Sequence, residues 1–314
     1  MTIIFRYVLA IGTLFFATGC LHEKYDECPL EEDYNVVLNF TLLNRNNIDV
    51  FSHNISKVNL GIFDKDGICV DIRHISQNNL LQFQGAKLNL APGTYSVVAW
   101  ANVDSNDKIE GIIPFSVPVA PIVTYKTITD GIVGDADRVY YAPENEDRNR
   151  SAEMPGSYLM IVDPVLGHSG TLIFTHAYHI INVYVEGFNG EPIVGMTGLP
   201  QGLGYFGMNM LTDTDGNKLT VATLHATSIK EENNETYNFA TFNTFLFGQN
   251  NDIMIYIYIK GDTVPVYQIA LNEAITELCY FEEITISIIF RFNGNNVEIV
   301  VPAWNANNVN QGKN

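Results

Sequence analysis

Positive charge is scarce in this sequence. Lysine and arginine together number 17 against 35 aspartates and glutamates, a formal net charge of −18 over 314 residues. That balance excludes nucleic acid as a partner, because phosphates are held by cations that displace counterions. It also excludes adhesion to anionic lipid through a basic face. The acids are scattered rather than blocked, so they read as a solvated exterior. Cysteine is scarce as well, with four in all: Cys20, Cys28, Cys69 and Cys279. There are two tryptophans, Trp100 and Trp304, against 16 tyrosines. Helical periodicity is nearly missing and is convincing only over Leu271 to Phe281, where Leu271, Ile275, Leu278 and Cys279 share a face.

What is present begins at the N-terminus. Arg6 precedes an apolar run from Tyr7 to Phe16, and small residues lead from Ala17 through Gly19 into Cys20. A short cationic region, an apolar core of roughly 7–15 residues and a small-residue cleavage site define a secretory signal. The run stops well short of the ~20 residues that a spanning helix needs. The Thr18-Gly19-Cys20 ending reads as a bacterial lipobox, with Ala17 where Leu is usual. Cleavage between Gly19 and Cys20 then leaves a lipidated cysteine as the mature end. The alternative is an ordinary secretory signal with Cys20 inside the exported chain. Cys28 and Cys69 are the candidate disulfide pair in that oxidising setting, with Cys279 left as a small buried apolar residue; spacing does not fix the connectivity.

Short strands with turn residues between them make up the rest. Val36, Leu38, Phe40 and Leu42 alternate on one strand face. Val58–Phe63 and Ile68–Ile75 form a hairpin across Asp64-Lys-Asp-Gly67, with Gly67 supplying a positive φ. Lys87–Leu90 and Thr94–Ala101 are joined by Ala91-Pro92-Gly93, where Gly93 is expected in the left-handed region. In the second strand Tyr95, Val97 and Ala99 face one way, and Ser96, Val98 and Trp100 the other. From Asp104 to Pro155 prolines break the pattern. Further strands fall in 170–187, 238–247, 252–259 and 263–269. A last hairpin of 283–292 and 296–301 turns at Asn293-Gly294. This pattern predicts an all-β chain of two tandem antiparallel β-sandwiches. The expected divisions are 1–19 for the signal, 20–33 for a lipidated tether, 34–163 for the first sandwich and 164–314 for the second.

Several motifs imitate catalysis without its context. Gly202-Leu-Gly204-Tyr-Phe-Gly207 has the spacing of a dinucleotide loop but no strand-turn-helix around it. Gly167-His-Ser-Gly170 lacks the second glycine spacing of a nucleophile elbow. His176 and His179 stand three apart, which in one strand puts them on opposite faces and rules out a shared metal. Asp64-Lys-Asp-Gly67 and Asp213-Thr-Asp-Gly216 are too short for a calcium hand and read as turns. The expectation is a non-enzyme with no metal, no catalytic residue, no small-molecule substrate and no cofactor beyond the covalent lipid.

The order of these pieces resembles a known group. A lipobox, an Asp-Glu-Cys28-Pro29 segment, the Phe63-Asp-Lys-Asp-Gly67 hairpin, Leu90-Ala-Pro-Gly-Thr-Tyr95 running into Ala99-Trp100-Ala-Asn102, and a final strand leading to Trp304 are similar to the FimB/Mfa2 fimbrial anchor proteins of Bacteroides-type bacteria. The resemblance implies transthyretin-like sandwiches and an outer-membrane lipid anchor at the cell surface, at the base of a fimbria. It also implies a fimbrial shaft subunit as partner, contacted through β-strands. Val297, Ile299 and Val301 alternate as a strand-exchange segment would. The Asn293-Gly294 turn favours Asn296–Val301 as the closing strand of its own hairpin instead. The rival function is a surface glycan-binding lipoprotein. Trp100 and Trp304 read better as core or edge plugs than as sugar platforms, which leaves tyrosines to build one.

Overall fold

The computed structural model of the protein describes residues 34–44, 46–110, 122–142, 157–204, 211–232, 235–248, 251–275, 285–294 and 296–302. In chain order the first half runs β1 (Val36–Leu42), α1 (Phe51–Asn54), β2 (Val58–Asp64), β3 (Cys69–Ile75), α2 (Gln77–Gln82), β4 (Gly85–Leu88) and β5 (Gly93–Ala101). It continues with β6 (Asp107–Glu110), β7 (Ile122–Tyr125), β8 (Tyr140–Ala142), β9 (Tyr158–Val162) and β10 (His168–His176). The second half runs β11 (Tyr178–Glu186), β12 (Pro192–Pro200), β13 (Gly202–Leu203), β14 (Thr220–Ala226), β15 (Ser228–Glu232) and β16 (Glu235–Phe245). It ends with β17 (Met254–Ile259), β18 (Tyr267–Ala270), α3 (Leu271–Ala274), β19 (Thr285–Asn293) and β20 (Asn296–Val300).

The chain is all-β, as its turn and alternation pattern predicts. The first sheet has the order β3-β2-β5-β8-β10-β1-β4, with β9 also pairing β5. It curls so that β1, β4 and β10 face β2, β5 and β9 across one core, filled by residues such as Leu38, Phe40, Leu60, Ala99, Met160 and Phe174. The second sandwich packs the five-stranded β15-β16-β11-β19-β20 sheet on the four-stranded β14-β12-β17-β18 sheet. Ile181, Val183, Phe242, Ile288, Val194 and Ile255 meet between them. A small sheet, β13-β7-β6, ties a first-half excursion to the second half. Among the described residues no helix is long and apolar enough to cross a membrane.

Each sandwich also contains a parallel pair that local patterning does not announce. β1 runs parallel to β10, Val36 opposite His168, and β11 runs parallel to β19, Ile180 opposite Thr285. Hairpins make only antiparallel neighbours; these two pairs close by long excursions.

The expected junction at Asp163-Pro164 falls inside the first sheet. β10 lies after that point yet pairs with both β1 and β8. The passage between the two sandwiches is at Ala177, a fully buried residue between β10 and β11. Asp163 instead heads a tight turn, accepting from the amides of Val165 and Leu166. Burial of both faces explains how the halves are joined. Val97, Ala99 and Ala101 of β5 enter the first core, while Val98 and Trp100 enter the second. Tyr141 does the same from β8, its ring 4.6 Å from that of Trp100. Trp100 is therefore a plug between sandwiches, which agrees with its reading as core.

Three local expectations change. Gly93 does not adopt a positive φ; it is the first residue of β5, paired with Val162. The Pro-Gly-x-Tyr turn is instead closed by the Tyr95 hydroxyl, which donates to the Ala91 carbonyl at 2.9 Å. The helix expected over 271–281 ends at Ala274, because Ile275 is extended (φ −135°, ψ 95°) and buried; 276–281 lie outside the described residues. His176 and His179 do not sit on opposite faces of one strand. The break at Ala177 brings their rings to 6.4 Å, and His179 packs at 4.4 Å on Phe247 with its Nε2 3.2 Å from the Phe247 carbonyl.

Candidate functional site

The acidic turns behave as turns. The Asp64 carboxylate accepts from the amides of Asp66 and Ile68, both at 2.9 Å, and Gly67 takes φ +74°. Asp213 repeats the device on Asp215 and Asn217, with Gly216 at φ +83°. With their oxygens turned onto backbone amides, these loops are folded by their aspartates. Gly202 and Leu203 of the dinucleotide-like motif form β13 and pair with Thr124 and Val123; 205–207 lie outside the described residues. Among the described residues no group of three or more His, Cys, Asp or Glu side chains could hold a metal ion.

Gly19, Cys20, Cys28, Cys279 and Trp304 lie outside the described residues. Cys69, the other half of the candidate disulfide, is a free thiol and 3% exposed, its Sγ 3.6 Å from the Asp71 carbonyl. Burial pushes that thiol above its ordinary pKa.

The candidate strand-exchange segment is occupied at home. β20 pairs antiparallel with β19, Val297 opposite Phe292 and Ile299 opposite Phe290. Val297 and Ile299 lean on the second core, and Val301, just past the strand, is 40% exposed. The closing-hairpin reading of this segment is the one the structure realises.

Among the described residues β20 is nonetheless an edge: the five-stranded sheet ends on it there, and the four-stranded sheet ends on β18. The two edges flank one seam of the sandwich. Tyr267 and Ile269 of β18 and Val297 and Ile299 of β20 are all half-buried against the same core. The Tyr267 ring lies 5.8 Å from Phe290 and 6.2 Å from Phe292 across that seam. Two of the other edges carry charge. β3 carries Asp71 and Arg73 paired at 2.9 Å, and β15 carries Lys230 and Glu231. Charges on an edge discourage further pairing. β14 is partly covered, since the Ala222 amide donates to Gly131 and the Val133 amide donates to Ala222.

A second feature lies on the outer face of the four-stranded sheet. Val194, Met196, Ile255 and Ile257 point into the core. Their neighbours Ile193, Gly195, Tyr256 and Tyr258 therefore face outward. They line a cleft of about 340 Å³ together with Leu224, Asp262 and Thr263. The Tyr256 and Tyr258 rings are stacked, centroids 6.1 Å apart and 29° between planes. Gly195 forms the floor; a Cβ there would stand 3.1 Å from the Tyr258 ring and 3.2 Å from Leu224. No single-residue signal announces this cleft. The Tyr-x-Tyr spacing marks one strand face, and only sheet order sets Gly195 beside it.

Residues 25–155 match the family of fimbrillin-A associated anchor proteins Mfa1 and Mfa2. No curated protein matches the sequence. Among solved structures, the fimbrial anchor protein Mfa2 from Porphyromonas gingivalis is 13% identical, with a TM-score of 0.62 over 84% of this chain and 94% of that one. A candidate polysaccharide-binding protein from Bacteroides thetaiotaomicron is 16% identical, with a TM-score of 0.66 over 86% and 96%. A candidate adhesin from Bacteroides ovatus is 14% identical, with a TM-score of 0.66 over 86% and 93%. Residues 25–155 thus carry the signature of the Mfa2 family of fimbrial anchor proteins, and 84–86% of the chain shares the fold of these solved structures.

Proposed function

We propose that this protein is a lipid-anchored, fimbria-associated protein of the cell surface, which holds or terminates a fimbria through contacts between β-strands. The family match over 25–155 is the observation that carries the fimbrial part of this reading. Cys20 takes the acyl chains after cleavage at Gly19, and 20–33 form the tether to the outer membrane. Each buried methylene contributes ~0.8 kcal/mol, so several chains give lasting retention. The shaft subunit adds a strand at the seam between β18 and β20. There a ladder edge and half-buried apolar side chains stand together, and an incoming alternating strand satisfies both.

Two measurements test the two halves separately. Cys20→Ala is expected to move the protein from the membrane fraction to the soluble one; retention in the membrane rules out the anchor. The double change Val297→Lys and Ile299→Lys is expected to abolish co-purification with the polymeric fimbria. A circular-dichroism melt checks that the second sandwich still folds. A folded variant that still co-purifies shows that the contact lies elsewhere.

A further inference from the structure

We propose that the cleft on the outer face of β12, β14 and β17 binds a neutral oligosaccharide. The inference stands independently of the fimbrial reading, because the cleft lies on a sheet face and strand pairing uses edges. Four observations converge on the one ligand class. Tyr256 and Tyr258 set two neighbouring rings, 6.1 Å apart, in the lining of the cleft, aromatic surface on which the apolar C–H face of a pyranose packs. Their burial is partial, so the rings are supported by the sheet yet open to a ligand. Gly195 leaves the depression beside them, where any side chain would meet Tyr258 and Leu224. Asp262 and Thr263 in the β17–β18 turn place a carboxylate and a hydroxyl at the rim, the groups that engage sugar hydroxyls.

The size and charge narrow the class. A volume of about 340 Å³ sits at the small end of the ~300–1,000 Å³ typical of ligand clefts, which suits one or two sugar rings of a longer chain. Asp262 and the −18 net charge repel uronic acids and sulfated sugars. An extended peptide would need an unpaired ladder edge, whereas β12 and β17 are paired to each other from Pro192 through Thr197.

Saturation-transfer NMR on the full mature chain tests this, using a panel of neutral gluco-, manno- and galacto-oligosaccharides, a polygalacturonate fragment and an alternating apolar peptide. At least one neutral member is expected to show transfer from aromatic protons. Tyr256→Ala and Tyr258→Ala should each weaken it about tenfold. Gly195→Ala, which fills the floor, should weaken it as well, and Tyr95→Phe in the first sandwich should leave it unchanged. A silent neutral panel overturns the proposal, as does binding that survives both tyrosine truncations in folded variants. Preference for the acidic fragment or the peptide overturns it too.

Discussion

At the scale of single residues, unusual chemistry sits where the two halves of the chain meet. Asp107 and Asp137 are buried carboxylates that bind each other's backbone: the Asp137 amide donates to Asp107 at 2.7 Å, and the Asp104 and Asp107 amides donate to Asp137 at 2.6 and 3.1 Å. Desolvation, followed by the neighbouring Asp137, raises the Asp107 pKa from 3.8 to about 8. The folded state therefore holds a proton that the unfolded chain releases. The stability linked to this group falls as pH rises from its ordinary value towards about 8, opposite to the usual salt-bridged acid. Asp107→Asn is expected to flatten that part of the pH dependence, read as the difference between variant and parent urea melts at acid, neutral and mildly alkaline pH. An unchanged difference would refute the buried-proton account. Trp100 is the other residue to test. Trp100→Ala should cost ~3–5 kcal/mol, the cost of emptying a large core position, and Trp100→Phe much less. Thermal melts of the two variants distinguish this plug from a surface platform, whose loss would leave the melt unmoved.

At the scale of elements, special backbone positions set the shape of the sheets. β12 carries a register shift between Met196 and Leu199, and Gly198 sits inside it at φ +75°. A Cβ there would lie 2.3 Å from the Asp252 carbonyl oxygen. Gly198→Ala must therefore displace backbone as well as occupy the left-handed region, and it should lower stability by about 2 kcal/mol. Gly261→Ala, also at positive φ but with open space around it, should cost less. Equal losses at the two positions, measured by urea denaturation, would show that the close approach to Asp252 is unimportant. The bulge also bears on the cleft, because it bends the strand that supplies Gly195 to the floor.

At the scale of the whole molecule, the two sandwiches share a core. Phe63, Cys69, Val98, Trp100 and Tyr141 of the first belong to the apolar cluster of the second, and β7 in the first half pairs with β13 in the second. The Tyr125 ring packs 4.7 Å from that of Phe245. Sandwiches coupled in this way should unfold together. Calorimetry is expected to show one cooperative transition, with equal calorimetric and van't Hoff enthalpies. Two separated transitions would mean that the shared surface contributes little.

Alternation, turn residues and composition by themselves determined the all-β class, most strand positions and the inward and outward faces of β1 and β20. These are properties of a few neighbouring residues, because side-chain direction has a period of two. The lipid signal expected at Cys20 is read in the same way, from consecutive residues. Tertiary structure alone decided what depends on distant segments meeting. It paired β10 with β1, so that the crossing between sandwiches moved from Pro164 to Ala177. It turned both faces of β5 inward, brought His176 and His179 together, and set Gly195 beside two tyrosines. Partner strands come from far along the chain, and no local pattern encodes which one a strand will find.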